Sequence, residues 1–298
     1  MQVGFIGTGN MGRHMAANLI NGGYELIVHD KNKEATDELV AQGAVWEDTP
    51  KAVAEASQVT ITSLPGPPEV ESVTLGENGI FEGAASGHIY IDMSTNSPTT
   101  IRKIAAIADT KGILMLDAPV SGGARGARLK TLTIMVGGKQ AVFESCEPIF
   151  KCMGERIFFA GNSGAGCVAK LVNNMMSVSN LIIAIEAMVL GTKGGVDPQR
   201  LFEITDASSG SSFMLRNLFP YMIFKGKFAP GFALSLAAKD LRLATDFSRE
   251  VGVPTVLSQH AYELMNDAME KGLGDQDHVA YITLLEKAAG VEVRTKDV

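Results

Sequence analysis

The chain has 298 residues, of which 46% are hydrophobic and 20% are charged, and its formal net charge is −7. This length provides one or two domains with ample core, and the modest acidity argues against nucleic acid or an anionic membrane as partner. Three cysteines without a zinc-binding spacing predict a reduced, cytoplasmic protein without a structural metal. The opening MQVGFIG resembles a strand rather than a signal peptide, and no uncharged apolar run is long enough to predict a membrane span.

Short apolar runs alternate with helix-length segments up to residue 160. The candidate strands are Val3–Ile6, Leu26–His29, Val59–Leu64, Ile89–Met93, Leu114–Asp117, Leu132–Val136 and Ile157–Ala160. The candidate helices between them are Met11–Asn21, Lys33–Gln42 and Pro98–Thr110. This alternation predicts βαβ units and a largely parallel, doubly wound α/β sheet.

Helical periodicity replaces the strand pattern after Gly161. Residues 164–193 contain no proline and predict one helix of roughly 45 Å, which Gly194–Gly195 ends. Asp197–Pro198 is a cap and first turn for the next helix. Further helices are predicted at 236–251, 254–272 and 276–289.

These patterns divide the chain into two predicted domains. We expect a dinucleotide-binding α/β domain at 1–162 and an all-helical substrate and dimerisation domain at 163–298. The long helix should join them. Apolar helices such as Leu181–Leu190 exceed what one small helical domain covers, which predicts a homodimer or homotetramer.

The first predicted strand leads directly into Gly7-Thr8-Gly9-Asn10-Met11-Gly12, a G-x-G-x-x-G that opens a helix. The first glycine allows a tight turn, the second lets the backbone approach a pyrophosphate, and the third lets helix and strand pack closely. Asp30 ends the second strand 18 residues after Gly12, close to the spacing of a dinucleotide site. Its carboxylate can bind both ribose hydroxyls and repels a 2′-phosphate, which favours NAD, but Lys31 softens that repulsion and leaves NADP possible.

The long predicted helix carries two polar residues, Lys170 and Asn174, four positions apart and therefore on one face. Burying a lysine without a partner is costly. The pattern alone leaves two interpretations open: a side chain that extends to the surface, or a functional group.

Six motifs in this order resemble the β-hydroxyacid dehydrogenase family, the group of 3-hydroxyisobutyrate dehydrogenase, tartronate semialdehyde reductase and glyoxylate/succinic semialdehyde reductases. They are GFIGTGNMG at 4–12, SLPGPPEVE at 63–71, IDMST at 91–95, DAPVSGG at 117–123, GAGCVAKLVNN at 164–174 and KDLRLA at 239–244. The resemblance covers essentially the whole chain. It implies a Rossmann domain followed by an all-α domain, and an NAD(P)-dependent oxidoreductase.

The resemblance also implies residue roles. Lys170 would be the catalytic acid/base with Asn174 beside it, and Ser121-Gly122-Gly123 would bind the substrate carboxylate. Leu64, Pro65 and Thr95 would line the nicotinamide side of the cofactor, and Lys239 would reach the cofactor from the second domain.

The expected reaction is the NAD-dependent interconversion of a short β-hydroxyacid and its semialdehyde, a small carboxylate substrate. One alternative is NADPH-dependent glyoxylate or succinic semialdehyde reduction, although those relatives usually carry Asn-Arg where this chain has Asp30-Lys31. Another is a non-catalytic dinucleotide-binding oligomer. The chain departs from many relatives at Arg125, Arg128 and Lys130, which either decorate the surface or favour a second substrate carboxylate.

Overall fold

A nine-stranded sheet forms the first half of the chain, because its short β-branched runs pair with one another across helical crossovers. The structure is a computed structural model that describes residues 1–295. The strands are β1 (Gln2–Ile6), β2 (Glu25–His29), β3 (Val45–Trp46), β4 (Val59–Thr62), β5 (Ile89–Asp92), β6 (Leu114–Asp117), β7 (Val120–Ser121), β8 (Leu132–Gly138) and β9 (Gly154–Gly161).

The strand order is β3-β2-β1-β4-β5-β6-β8-β7, and β9 also pairs with β8. Strands β1 to β6 are parallel. Strand β8 runs antiparallel to β6 and β7 and parallel to β9. The reversal of order on either side of β1 and β4 is the topology at which open α/β sheets bind ligands.

Helices connect these strands, and several begin at residues suited to a helix start. They are α1 (Gly12–Asn21), α2 (Asp37–Val40), α3 (Pro50–Glu55), α4 (Pro67–Leu75), α5 (Ile80–Gly83), α6 (Pro98–Thr110), α7 (Gly123–Leu129) and α8 (Gln140–Met153), with a 3₁₀ turn at Lys33–Thr36. The side chains of Thr49 and Ser97 cap α3 and α6 by accepting hydrogen bonds from backbone amides. Both helices then begin with proline, which is suited to the first helical position.

Both faces of the sheet are covered, because successive side chains of a strand point to opposite faces. Val28 belongs to a core that includes Met15 of α1 and Phe150 of α8. Its neighbour Ile27 belongs to a second core that includes Ile104 of α6. The predicted doubly wound α/β sheet is therefore confirmed.

The second half is helical, and the predicted all-α region is confirmed. Its helices are α9 (Ala165–Lys193), α10 (Pro198–Asp206), α11 (Phe213–Leu218), α12 (Leu234–Glu250), α13 (Val256–Ala268) and α14 (Ile282–Ala289), with short 3₁₀ or π segments at Phe219–Ile223, Met269–Leu273 and His278–Tyr281. Asp197 caps α10 as predicted, since its side chain accepts a hydrogen bond from the Arg200 amide.

The chain forms two compact units, Met1–Lys170 and a second that begins at Leu171, so α9 starts in one and continues in the other. The domain boundary between residues 162 and 163 stays a prediction. Length and composition alone would let α9 cross a membrane, a test that core helices of soluble proteins also pass. On α9, Val178, Leu181 and Ile185 are fully buried in the core of the second unit.

The sequence pattern was wrong about several local elements. Strands β3 and β7 are two residues long and too short to produce alternation. The predicted helix over Lys33–Gln42 is a 3₁₀ turn followed by the four-residue α2. Strand β9 begins three residues earlier than predicted, at Gly154 rather than Ile157, because Gly154 and Arg156 pair with Leu132 and Thr133 of β8.

Candidate active site

The loop after β1 has the geometry that its three glycines predict. Gly7 has a φ of +91°, in the region that favours glycine, and a β-carbon there would lie 2.3 Å from the Ser63 carbonyl oxygen. A β-carbon at Gly12 would lie 1.8 Å from the Gly7 carbonyl oxygen, so only glycine lets α1 begin so close to the turn. A β-carbon at Gly9 would meet nothing within 4 Å, which leaves the backbone open to a phosphate. These positions fit a dinucleotide.

Asp30 fastens this loop to the end of β2. Its Oδ2 accepts hydrogen bonds from the Thr8 amide at 2.6 Å and the Thr8 hydroxyl at 3.2 Å. Its Oδ1 accepts one from the Asn32 amide at 2.9 Å. Carboxylate oxygens have further lone pairs, so Asp30 can hold the loop and still accept from a ribose hydroxyl. Asn10 is exposed and Met11 half-buried at the entrance to α1.

The loops after β4 and β5 adjoin the glycine loop and are fixed by one buried carboxylate. Leu64 is half-buried, and its δ2 carbon would lie 2.9 Å from a β-carbon on Gly7. The Leu64 amide donates to Ser94 Oγ at 2.9 Å, next to the half-buried Thr95. Asp92, whose pKa is raised by burial, accepts from Thr62, Ser94 and Asn96 at 2.8, 3.1 and 3.0 Å.

The structure therefore brings together Gly7, Asp30, Leu64 and the Ser94–Thr95 turn. Their predicted role in binding the cofactor stays a prediction. Pro65 follows Leu64 and is exposed. The sequence interpretation missed Asp92 as the residue that orders these loops. The available signal in the sequence was a carboxylate at the end of an otherwise apolar strand.

Asp117, at the end of β6, anchors the start of α9. Its Oδ1 accepts from the Gly164 amide at 2.7 Å, and its Oδ2 accepts from the Cys167 amide at 2.9 Å. Burial raises the pKa of this carboxyl group, and the two amide hydrogen bonds oppose that shift. The sequence interpretation used Asp117 only as the first letter of a motif. In the structure it fixes the first turn of the helix that carries Lys170.

Two glycines allow α9 to lie directly on the sheet. A β-carbon at Gly137 would come within 2.5 Å of Asp117 Oδ1 and 2.8 Å of the Gly166 amide nitrogen. A β-carbon at Gly166 would come within 2.3 Å of the Met135 carbonyl oxygen. The position of the helix is thus set by backbone-to-backbone contact, which leaves little room for the helix to shift.

Lys170 and Asn174 are both buried, each with 7% of its surface exposed. Lys170 therefore does not extend into solvent, which was one of the two interpretations that the helix pattern left open. Asn174 donates to Asp240 Oδ2 at 2.5 Å and accepts from the Asn173 amide group at 2.9 Å.

Asp240 is a further candidate that the sequence interpretation missed. It is 2% exposed, and its second oxygen lies 3.1 Å from Lys239 Nζ. The predicted role of Lys239 toward the cofactor stays a prediction. The KDLRLA motif contained the signal for Asp240, because an acidic residue on an apolar helix face requires a partner.

Ser121, Gly122 and Gly123 form the turn between β7 and α7. Gly122 and Gly123 have φ values of +131° and +62°, both in the region that favours glycine. Both glycines are exposed, and a β-carbon at Gly123 would meet nothing within 4 Å. The turn thus presents a hydroxyl group and two exposed glycine residues, a combination that suits a carboxylate.

The three cations after this turn, Arg125, Arg128 and Lys130, are exposed and lie on α7 or directly after its last residue. Burial and then the charges of Arg13 and Arg128 lower the pKa of His14, which places Arg128 near α1. Burial raises the pKa of Cys152, and the charge of Lys130 opposes that rise, which places Lys130 near α8. Arg125 lies roughly 200° around the helix from the buried Ala127. In the part of the chain that the structure describes, no group of three or more His, Cys, Asp or Glu side chains could hold a metal.

Comparisons with known proteins cover both halves of the chain. A family model described as the NAD binding domain of 6-phosphogluconate dehydrogenase matches residues 2–161. A second, described as NAD-binding of NADP-dependent 3-hydroxyisobutyrate dehydrogenase, matches residues 164–285. These two ranges together include every predicted site residue.

Two curated relatives match along nearly their whole length. The chain is 40% identical over 293 residues to 2-(hydroxymethyl)glutarate dehydrogenase of Eubacterium barkeri, covering 98% of this chain and 97% of the relative. It is 38% identical over 289 residues to 2-hydroxy-3-oxopropionate reductase of Escherichia coli, covering 97% and 98%. A solved structure of 3-hydroxyisobutyrate dehydrogenase from Mycobacterium tuberculosis with L-serine superposes with a TM-score of 0.89 at 32% identity, covering 95% of this chain and 98% of that one.

Proposed function

Because the chain belongs to the β-hydroxyacid dehydrogenase family and is an NAD(P)-dependent hydroxyacid oxidoreductase, we propose that its substrate is a 3-hydroxypropionate with a substituent at C2. The product is the corresponding semialdehyde. The molecules in the relatives' names support this choice. 3-Hydroxyisobutyrate, L-serine and 2-(hydroxymethyl)glutarate all contain HOCH₂–CH(X)–COO⁻, and 2-hydroxy-3-oxopropionate is the semialdehyde form with a hydroxyl as X.

The observation that carries the proposal is the burial of Lys170 on a helix whose first turn is anchored to the sheet by Asp117. In oxidation, neutral Lys170 accepts the proton of the substrate alcohol at its Nζ. In reduction, the ammonium group returns that proton and stabilises negative charge on the oxygen. Asn174, one helical turn further on, orients the substrate hydroxyl, and Asp240 and Asn173 hold the Asn174 amide in place.

The substrate carboxylate binds at Ser121, Gly122 and Gly123. The Ser121 hydroxyl and the backbone amides of the two exposed glycines supply the hydrogen-bond donors. Both ends of the HOCH₂–CH(X)–COO⁻ unit are then held, one by Lys170 and one by this turn. The residues around C2 of the substrate then determine which substituent X is accepted.

The nicotinamide dinucleotide, when bound, supplies or accepts the hydride at the reacting carbon. The loop from Gly7 to Gly12, with Thr8, Gly9, Asn10 and Met11, holds the pyrophosphate, and Asp30 holds the adenosine ribose. Leu64, Pro65 and Thr95 would line the nicotinamide side of the cofactor, and Lys239 would also bind the cofactor. NAD is preferred, because the Asp30 carboxylate repels a 2′-phosphate, while Lys31 permits some use of NADP.

Self-association is part of the same proposal. Helix α9 exposes Val172, Met176, Ile183 and Leu190, whose spacings of four, seven and seven residues place them on one side of the helix. Leu190 is 75% exposed, and exposed apolar side chains that lie together mark a surface for protein–protein contact. A homodimer or homotetramer would cover this side. Light scattering at micromolar concentration should give a multiple of 31.6 kDa, and Ile183→Glu should lower it; a monomeric parent protein would contradict self-association.

The proposed location is the cytoplasm, where thiols stay reduced. Cys146, Cys152 and Cys167 are free cysteines in the structure, and Cys146 and Cys167 are buried. Free thiols are typical of proteins in a reducing compartment.

A spectrophotometric screen tests the proposed function. Purified protein is offered C2-substituted 3-hydroxypropionates with NAD or NADP, and glyoxylate and succinic semialdehyde with NADH or NADPH. The proposal expects NAD reduction with at least one member of the first group. Turnover confined to glyoxylate or succinic semialdehyde with NADPH would favour the other reductase activity, and nucleotide binding without turnover of any substrate would favour a non-catalytic protein.

A further inference from the structure

We propose that Arg156 extends the carboxylate site of this enzyme and selects hydroxyacids whose C2 substituent ends in a second carboxylate. The inference rests on the proposed function, because it assumes that Ser121 binds the first carboxylate. It concerns Arg156 on β9, a residue that the sequence motifs do not include.

The register of three strands places Arg156 in line with Ser121. Ser121 of β7 pairs with Thr133 of β8, and Thr133 pairs in turn with Arg156 of β9. Residues that pair across strands point to the same face of a sheet. The three side chains therefore form one polar row that crosses β7, β8 and β9.

The residues next to this polar row along each strand show that the row faces away from the hydrophobic core. Val120, Ile134 and Ile157, each one residue away along its strand, belong to the hydrophobic core with α1 and α8. The polar row must point away from that core, because neighbouring residues in a strand alternate.

The helix that carries Lys170 begins on the same face as the polar row. Thr133, Met135 and Gly137 are two residues apart along β8 and share one face. A β-carbon on Gly137 would point at the amides of Ala165 and Gly166 at the start of α9. Ser121, Arg156 and the first turn of α9 are thus on one side of the sheet.

The distances suit a dicarboxylate. Neighbouring strands are about 4.8 Å apart, so the backbones of Ser121 and Arg156 are separated by roughly 10 Å. A guanidinium group reaches back over part of that distance, and two carboxylates joined as in a glutarate lie about 5 Å apart. A substituent with two methylene groups and a carboxylate can therefore bridge from Ser121 toward Arg156, whereas a methyl group cannot.

The surroundings of Arg156 match such a substituent. Phe158, two residues along β9, pairs with Met135 on the same face and is 57% exposed, so it offers an apolar surface for methylene groups. Arg156 is exposed, and no carboxylate within residues 1–295 forms an ion pair with it. A guanidinium can bind a carboxylate through two parallel hydrogen bonds, which gives geometric selectivity.

The cations that first suggested a second carboxylate are less well placed. Arg128 lies near α1, and Lys130 lies near α8. Arg125 is on the side of α7 opposite its buried face. Arg125 is therefore the matched control, an exposed arginine four residues beyond Ser121 but outside the polar row.

The test compares 2-(hydroxymethyl)glutarate with 3-hydroxyisobutyrate, which share the reacting carbon and first carboxylate and differ only at X. Steady-state kcat/KM is measured for both substrates with the parent protein, Arg156→Ala, Arg156→Lys and Arg125→Ala. We expect the parent protein to favour the dicarboxylate. Arg156→Ala should lower kcat/KM for the dicarboxylate by about tenfold, chiefly through KM, and leave the monocarboxylate within about twofold. Arg156→Lys should retain part of the preference, and Arg125→Ala should leave the ratio unchanged.

The inference is overturned if the ratio of kcat/KM for the dicarboxylate to kcat/KM for the monocarboxylate is the same in Arg156→Ala as in the parent protein. It is also overturned if only Arg125→Ala lowers this ratio. An equal loss on both substrates also overturns it, because it would mean that Arg156 only supports the edge strand. If the parent protein oxidises 3-hydroxyisobutyrate and not the dicarboxylate, the inference fails while the proposed function stands. If it oxidises neither, nor any other 2-substituted 3-hydroxypropionate, both fail.

Discussion

The loops at the strand ends of the first compact unit and the polar face of α9 differ in what they offer a ligand. The loops offer backbone groups, and the helix offers side chains. A β-carbon at Gly9 or Gly123 would meet nothing within 4 Å, so a ligand can approach the backbone of these loops closely. Helix α9 instead offers the buried side chains of Lys170 and Asn174. Backbone amides bind anions but cannot change protonation state near neutral pH, whereas a lysine can transfer a proton. Binding and chemistry should therefore be separable by substitution.

Removing the anchor of α9 should affect both stability and chemistry. Asp117→Ala leaves the buried amides of Gly164 and Cys167 without their acceptor, which should lower the free energy of unfolding by about 3 kcal/mol. Because the first turn of α9 would lose both of its hydrogen bonds to Asp117, the helix that carries Lys170 would be less firmly held, and kcat should fall more than the affinity for NAD. Urea unfolding, cofactor titration and steady-state kinetics measure the three quantities.

Asp117→Asn is the matched variant, since it keeps one acceptor oxygen in nearly the same volume. It should lose less stability than Asp117→Ala. An Asp117→Ala protein as stable and as active as its parent would contradict the anchoring role.

Acid should destabilise the sheet unit through one buried histidine. Burial lowers the pKa of His88 to about 4, and His88 Nε2 lies 2.9 Å from Thr60 Oγ1. The unfolded chain binds a proton at this histidine near pH 6.5, whereas the folded protein binds it only near pH 4. The free energy of unfolding therefore falls as pH decreases from about 6.5 to about 4. Between pH 7 and pH 5 the free energy of unfolding should fall by about 2 kcal/mol through this histidine.

His88→Gln should flatten this part of the pH profile, measured by urea unfolding at several pH values. His260→Gln is the control, since His260 is exposed. A His88→Gln profile parallel to that of the parent protein would show that His88 is not the group responsible.

Asp30 should control the choice of cofactor without affecting the chemical step. Asp30→Asn removes the negative charge that repels a 2′-phosphate, and the preference for NAD over NADP should fall by about tenfold. Lys31→Ala should shift the preference in the opposite direction. Fluorescence titration with both cofactors measures the ratio, and tighter binding of NADP than NAD by the parent protein would reverse the assignment of Asp30.

The parts of the molecule that the sequence predicted are those that depend on short, local patterns. The loop from Gly7 to Gly12 lies between one strand and one helix, so its spacing alone specifies its geometry. Asp117 anchors amides 47 and 50 residues further along the chain, and Asn174 meets Asp240 after 66 residues. No local pattern encodes such distances. Arg156 was not predicted for the same reason, because its alignment with Ser121 depends on the register of three strands.

The most direct test of the account is single-turnover hydride transfer in Lys170→Ala, followed by stopped flow with the 2-substituted 3-hydroxypropionate that the screen identifies. Positioned general acid–base catalysis contributes about 10²–10⁴-fold, so the rate should fall by at least about a hundredfold. The affinity for NAD should hardly change, because the loop at Gly7–Gly12 holds the phosphates. Lys170→Arg should not restore the rate, since a guanidinium does not release its proton near neutral pH. A near-normal rate in Lys170→Ala would contradict the account, because the buried lysine would then have no part in the reaction.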